Sequence, residues 1–184
     1  MTATPPPVCI EPDALLRMPE GKHFELIDGV PVEKTMGARA SAISARITIR
    51  LGTYVLDHDL GDLYDAQTGF RCFPDRPRQV RKPDVAFVAK HRLPDGKPPE
   101  GDFLIAPDLA VEVSSPNDLV DELDAKLADY QSAGVPLIWV FYPVSRTVLV
   151  LRPDLNTTRL DINGTLTGED VIPGFEVKVA SLFV

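Results

Sequence analysis

Cysteine is almost absent from this chain: Cys9 and Cys72 stand 63 positions apart and match no metal-ligand or redox spacing. A disulfide framework and a thiolate zinc site are thereby excluded, and a reduced compartment is expected. Histidine is as scarce; His23, His58 and His91 share no ligand spacing, so a zinc centre is not expected from them either. No Gly-rich phosphate loop and no Gly-x-Ser-x-Gly elbow occurs around Ser114-Ser115, which removes the P-loop and serine-hydrolase classes. The longest uncharged run, residues 130–145, contains Gly134, Pro136 and Pro143 and is too short to span a bilayer. With no basic and apolar leader at the start, a cytoplasmic protein that does not engage membranes is expected. A basic excess is also missing. The net charge of −8 works against casual nucleic-acid binding and demands a local basic patch, a bound metal or a groove built by oligomerisation.

What is present is an ordinary globular composition, 44% hydrophobic and 25% charged over 184 residues, enough for one domain with a real core. Residues 1–10, with Pro5-Pro6-Pro7, read as an extended lead, and residues 11–184 as a single domain. A short helix over 11–18 is expected to end at Pro19. Residues 23–34 read as a hairpin around Asp28-Gly29, with Pro31 marking the second arm as an edge. Residues 38–57 carry an apolar stripe at helical pitch (Ala40, Ile43, Ile47, Leu51, Tyr54), beside a strip of Arg39, Arg46 and Arg50. That strip reads either as a solvated face or as a contact for phosphates. Strands are expected over 63–73, 80–89, 108–114, 137–142, 147–151, 158–162 and 175–179. A long loop fills 90–107, a turn rich in capping residues spans 114–118, and a helix covers 121–133. The run 137–142 is apolar throughout, as in a strand buried on both faces, and strand, helix and strand imply a parallel crossover. The order is helix, three strands, helix, strand, flanked by hairpins: an α/β fold around a mixed sheet.

Three residues break the apolar pattern. Alternation places Asp108, Ala110, Glu112 and Ser114 on one face of their strand, and Leu109, Val111 and Val113 on the other. Glu112 thus puts a carboxylate inside an apolar strand, where it needs a partner. Asp84 sits at the mouth of the preceding strand. Lys126 interrupts the helical stripe of Leu119, Leu123, Leu127 and Tyr130. Two carboxylates at neighbouring strand ends make a hard-oxygen site suited to Mg²⁺, and a lysine beside them could position water or neutralise a phosphoryl group. Structural readings stand beside this one: Asp84 as a turn residue, and Lys126 either reaching water or pairing with Glu112 as a plain ion pair.

Linked motifs then carry a resemblance. Phe24-Glu25-Leu26-Ile27-Asp28-Gly29, Pro83-Asp84-Val85-Ala86-Phe87-Val88 and Pro107-Asp108-Leu109-Ala110-Val111-Glu112-Val113-Ser114-Ser115-Pro116 resemble, in order, the pattern of the Uma-two family. So do Lys126-Leu127 with Tyr130, and Gly134-Val135-Pro136 with Trp139-Val140. That family, once a domain of unknown function, is assigned to the PD-(D/E)XK superfamily of restriction-endonuclease-like folds. The resemblance implies Asp84 and Glu112 as metal ligands, the Val113 carbonyl as a third, and Mg²⁺ or Mn²⁺ as the cofactor. It also implies DNA as the substrate, cut by metal-activated water. The superfamily's usual lysine lies two residues after the glutamate, here Ser114, so Lys126 looks like its migrated replacement. Glu25 and Asp108 match family positions without an assigned role. A homodimer is expected, because an acidic chain with spare edge strands has to assemble a groove. The rival expectation is a nuclease-fold protein with little cleavage that binds nucleic acid or regulates.

Overall fold

The computed structural model describes residues 8–115, 119–154 and 156–183. In chain order its elements are α1 (Pro12–Arg17), β1 (Phe24–Ile27), β2 (Val30–Glu33), α2 (Ala38–Asp57), β3 (Gly61–Asp65), β4 (Val85–Ala89) and β5 (Leu109–Val113). They continue with α3 (Val120–Ser132), β6 (Leu137–Tyr142), β7 (Thr147–Leu151), β8 (Thr157–Leu160), β9 (Thr165–Thr167) and β10 (Glu176–Lys178). A six-stranded mixed sheet runs β3-β4-β5-β6-β7-β8, with β1-β2 and β9-β10 as separate two-stranded ribbons. Among the described residues of this sheet, β5 and β6 pair in parallel, with Glu112 opposite Val140, while its other neighbours are antiparallel; α3 connects β5 to β6 as expected.

The apolar face of each element decides its place. In β5 the side chains of Leu109, Val111 and Val113 enter a core shared with Trp139, Phe141 and the α2 stripe of Ala40, Ile43, Ile47 and Leu51. Val55 completes that stripe, while Tyr54 is only partly buried. Ala110, one residue out of phase, faces the other way and packs with Ile138, Val140, Leu127 and Tyr130 under α3. The two helices therefore lie on opposite faces of the sheet. The β1–β2 turn has Asp28 at φ 52° and Gly29 at φ 90°, the positive angles that a two-residue hairpin demands, and Asp-Gly meets them at little cost.

Several expected boundaries move, each for a local reason. The expected strand 63–73 is replaced by the earlier and shorter β3, and 80–89 shrinks to β4. Pro83 lacks an N–H and cannot continue a ladder, so residues before it pair elsewhere. Val80 exchanges two backbone hydrogen bonds with Leu26 (2.9 and 3.0 Å), and Arg81 exchanges two with Phe70 (2.8 and 3.1 Å). This short bridge ties the β1–β2 ribbon to the rest of the fold. Leu119 leaves the expected α3 stripe: it is the N-cap, with extended backbone, and is 62% exposed. The α3 N-cap makes no side-chain bond, and residues 116–118 of the expected capping turn lie outside the described residues. β8 stops at Leu160 because Asp161 turns the chain, its carboxylate accepting from the Asn163 amide at 2.8 Å. β9 was not foreseen; it has only three residues and pairs with an equally short β10.

The arginine strip on α2 does not stay uniform: Arg39 and Arg50 are exposed, while Arg46 is half-buried and donates to the Phe183 carbonyl. Of the expected lead, residues 1–7 lie outside the described residues, and Ile10 donates to the Gly29 carbonyl (2.8 Å). Among the described residues no helix is long and apolar enough to cross a membrane.

Candidate active site

β4 begins one residue after Asp84, and its antiparallel register with β5 sets Val85 opposite Val111. The Asp84 amide donates to the Val111 carbonyl (2.9 Å), and the Val113 amide returns a bond to Asp84 Oδ2 (2.7 Å). A carboxylate oxygen thus replaces the ladder acceptor where Pro83 ends the strand. The same register places Asp84 and Glu112 side by side on the α3 face of the sheet. Both are buried, at 6% and 5% exposure.

From above, α3 delivers two donors one helical turn apart. Tyr130 donates its hydroxyl to Glu112 Oε1 at 2.6 Å, and the Lys126 ammonium stands 3.4 Å from Glu112 Oε2. Lys126 is also 3.3 Å from Glu25 Oε1, so it bridges a carboxylate of β5 and one of β1. Glu25 further accepts from the Lys82 amide (2.6 Å) and from Arg81 (3.2 Å). Behind it Arg81 reaches Asp129 Oδ2 (2.6 Å), which also takes Gln79 (2.7 Å), while Asp129 Oδ1 takes Arg76. Lys34, just past β2, places its ammonium 2.7 Å from Asp84 Oδ1 and donates to the Lys82 carbonyl.

Three carboxylates (Glu25, Asp84, Glu112) therefore meet three cations (Lys34, Arg81, Lys126). The balance is uneven between sites. Burial works to raise the Glu25 carboxyl, but Lys126, Lys34 and Arg81 with the Lys82 amide outweigh it and hold Glu25 below the ordinary carboxylate range. For Glu112 burial wins over Lys126 and Lys34, and the negative charges of Asp84 and Glu25 add to it, so its carboxyl is raised. Burial opposes the charge on Lys126, yet Glu112, Glu25 and Asp84 keep it above the usual lysine value. Tyr130 is raised by burial first and by Glu112 second, and remains a phenol that donates. The group that stands out is Glu112, a buried acid held by a phenol and a shared ammonium.

These groups open on a cavity of about 530 Å³. Its lining includes the charged side chains of Glu25, Lys34, Arg81, Asp84, Glu112 and Lys126, and the apolar ones of Val30, Val32, Met36 and Leu123. Val113 and Ser114 also line it. The structure thus brings Asp84, Glu112, Lys126, Glu25, Val113 and Ser114 to one place. Asp108 lies apart: it accepts from the Ala89 amide (2.8 Å) and from Arg92 (2.7 Å) at the other end of β5. Among the described residues, no three His, Cys, Asp or Glu side chains form a cluster that could hold a metal. Lys34 and the Tyr130 hydroxyl escaped the sequence reading. Tyr130 sits four residues after Lys126 and was visible only as an apolar stripe member; Lys34 follows a hairpin in a polar stretch and left no signal.

α2, β3, β4, β5, α3 and β6 make up a restriction-endonuclease-like core, and the chain superposes with a TM-score of 0.79 on the crystal structure of a "putative nuclease belonging to DUF820" from Anabaena variabilis ATCC 29413. The two are 23% identical, over 95% of this chain and 97% of that one, a likeness that speaks for the fold. The model of the Uma2 family, described as "Putative restriction endonuclease", matches residues 12–180, and the chain belongs to that family, within the PD-(D/E)XK superfamily. No curated protein matches it.

Proposed function

We propose that this protein is a Mg²⁺- or Mn²⁺-dependent endodeoxyribonuclease. The observation that carries this reading is the convergence of Asp84 and Glu112 on one sheet face, with the Lys126 ammonium 3.4 Å from Glu112 at the wall of a cavity. The donor set suits a hard divalent cation, which takes one or two carboxylates and completes its shell with water and phosphate oxygens. Asp84 and Glu112 would hold it, with the Val113 carbonyl as a third ligand. Bound there, the cation would supply the Lewis acidity that phosphodiester hydrolysis needs. Lys126, kept cationic between Glu112 and Glu25, offers an ammonium to the charge that builds on a phosphoryl group. Glu25, with Arg81 behind it, fixes where that ammonium points. Ser114 lines the cavity where the superfamily's lysine usually stands and supplies no charge.

The working form is a homodimer, since a single chain of net charge −8 offers duplex DNA little attraction; light scattering that finds only monomer at micromolar concentration would contradict this. A second reading has its own support. The site's three carboxylates are already matched by three cations, which suits a protein that keeps the fold and binds or regulates without efficient cleavage. Purified protein incubated with plasmid, linear DNA and RNA, with and without Mg²⁺ or Mn²⁺, separates the two. Metal-dependent cutting that Glu112→Gln abolishes supports the nuclease; metal-independent binding with no cutting supports the rival.

A further inference from the structure

Lys34 is a cation of the site that the sequence did not announce. Its backbone N–H donates to the His23 carbonyl (2.7 Å), so the residue is pinned at the open end of the β1–β2 ribbon. Its side chain is only 13% exposed and ends at Asp84 Oδ1 and the Lys82 carbonyl. Asp84 Oδ2 is already engaged by the Val113 amide, so Oδ1 is the oxygen with most left to offer a metal, and an ammonium sits on it at 2.7 Å.

Lys34 and Lys126 differ in what each would lose. Lys126 pairs with Glu112 and with Glu25, and keeps Glu25 if Glu112 turns to a metal. Lys34 has one carboxylate at ion-pair distance, Asp84, and a neutral carbonyl, with Glu25 and Glu112 acting on it only from farther off. A divalent ion arriving at Asp84 therefore meets a positive charge on the oxygen it needs, and the two cations repel strongly in a half-desolvated cavity.

We propose that Lys34 is a positioning residue that sets metal occupancy: its ammonium competes with the divalent ion for Asp84 Oδ1 and has to move before that ion can bind. This rests on the metal site proposed above. Lysine's flexible stem permits the movement, and the ammonium stays on the cavity wall, where it can turn to a phosphate.

The test is Mn²⁺ binding without DNA, read by electron paramagnetic resonance of free Mn²⁺ and by calorimetry. Lys34→Gln keeps a donor for the Lys82 carbonyl and removes the charge; Lys34→Arg keeps the charge; Lys34→Ala serves if the glutamine variant unfolds by circular dichroism. The neutral variants should bind Mn²⁺ at least about tenfold more tightly than the parent, and the arginine variant about as the parent does. Unchanged or weaker affinity in a folded neutral variant overturns the assignment, as does a failure of every protein to bind Mn²⁺. If affinity rises in Lys34→Gln while no variant cuts DNA, Lys34 keeps its role and the nuclease reading fails. If all cut DNA with one shared Mn²⁺ affinity, the nuclease reading stands and the role of Lys34 falls.

Discussion

β5 has two faces that obey opposite rules. Leu109, Val111 and Val113 look into a core built with α2 that the sheet fills with aliphatic and aromatic side chains. Ala110 and Glu112 look toward α3, where packing gives way after one residue to a buried carboxylate, a phenol and an ammonium. The same five-residue strand thus anchors the fold with one set of side chains and presents chemistry with the other. The charged face costs desolvation, and that cost is offset by placing each charge against another: Asp84 with Lys34, Glu25 with Lys126 and Arg81, Asp129 with Arg76 and Arg81. The lesson is that a site of this kind has to be read as a network. Removing one member leaves its partner buried and uncompensated.

The largest expected effect separates the faces by activity. Lys126→Met keeps the stem that packs in α3 and deletes the ammonium. Cleavage should fall by roughly 10²- to 10⁴-fold, the scale of a positioned acid, base or charge stabiliser, while circular dichroism stays that of the parent. Mn²⁺ binding should persist. A Lys126→Met protein that cuts DNA like the parent would remove Lys126 from the chemistry.

On the α2 face the expectation inverts. Leu51 is fully buried against the sheet, and Leu51→Ala should cost about 3 kcal/mol of stability through lost transfer energy and a residual cavity. Chemical denaturation reads this as a lower midpoint at unchanged slope. Cleavage per folded molecule should hold; a selective loss of kcat would show that the two faces are coupled.

A third comparison is within the charged face and depends on pH. The folded-state carboxyl of Glu25 lies below its unfolded value of 4.5, so the stability from its ion pairs is fully present above about pH 4.5 and is lost as pH falls through the lower, folded value. Glu25→Gln should therefore cost on the order of 1.5–3 kcal/mol at neutral pH, the scale of hydrogen bonds to charged groups. The gap to the parent should close as pH drops below 4.5. A gap that stays constant from pH 7 to pH 3 would show that the loss comes from packing and not from charge.

Much of this could be read from the chain because the decisive signals are local. Asp-Gly between apolar arms fixed the β1–β2 hairpin, and six apolar residues marked β6 as the strand buried on both faces. Glu112 and Lys126 were conspicuous as charges set in apolar periodicity, and they do meet. What could not be read depends on contacts distant in sequence. Residues 63–73 and 80–89 read as two successive strands, but Pro83 and the bridges from Val80 to Leu26 and from Arg81 to Phe70 redirect the chain between β3 and β4. Lys34 reaches Asp84 across 50 positions of chain, and no periodicity encodes that. Asp129, a buried acid at the centre of a three-donor network, was hidden among the surface charges of α3.

The smallest expected effect belongs to Asp108, which sits one residue before β5, at the end of that strand away from Glu112. Its Oδ2 accepts from the Ala89 amide at 2.8 Å, holding the end of β4 against the start of β5, and its Oδ1 pairs with Arg92 at 2.7 Å. Asn in its place keeps a carbonyl oxygen of the same shape for the Ala89 amide. What it loses is the charge facing Arg92, whose side chain is 30% exposed and can turn to water. Screening limits such a pair to about 0.5–1 kcal/mol, which for a chain of this length lowers Tm by roughly 1–4 °C. Asp108→Asn should therefore melt slightly early, bind Mn²⁺ as the parent does and cut DNA at the parent rate. Four residues of chain would then separate an acid that holds the sheet together from an acid that does chemistry. If instead Asp108→Asn loses cleavage as Glu112→Gln does, with its fold intact, the chemistry is not confined to the Glu112 end, and the division drawn along β5 is wrong.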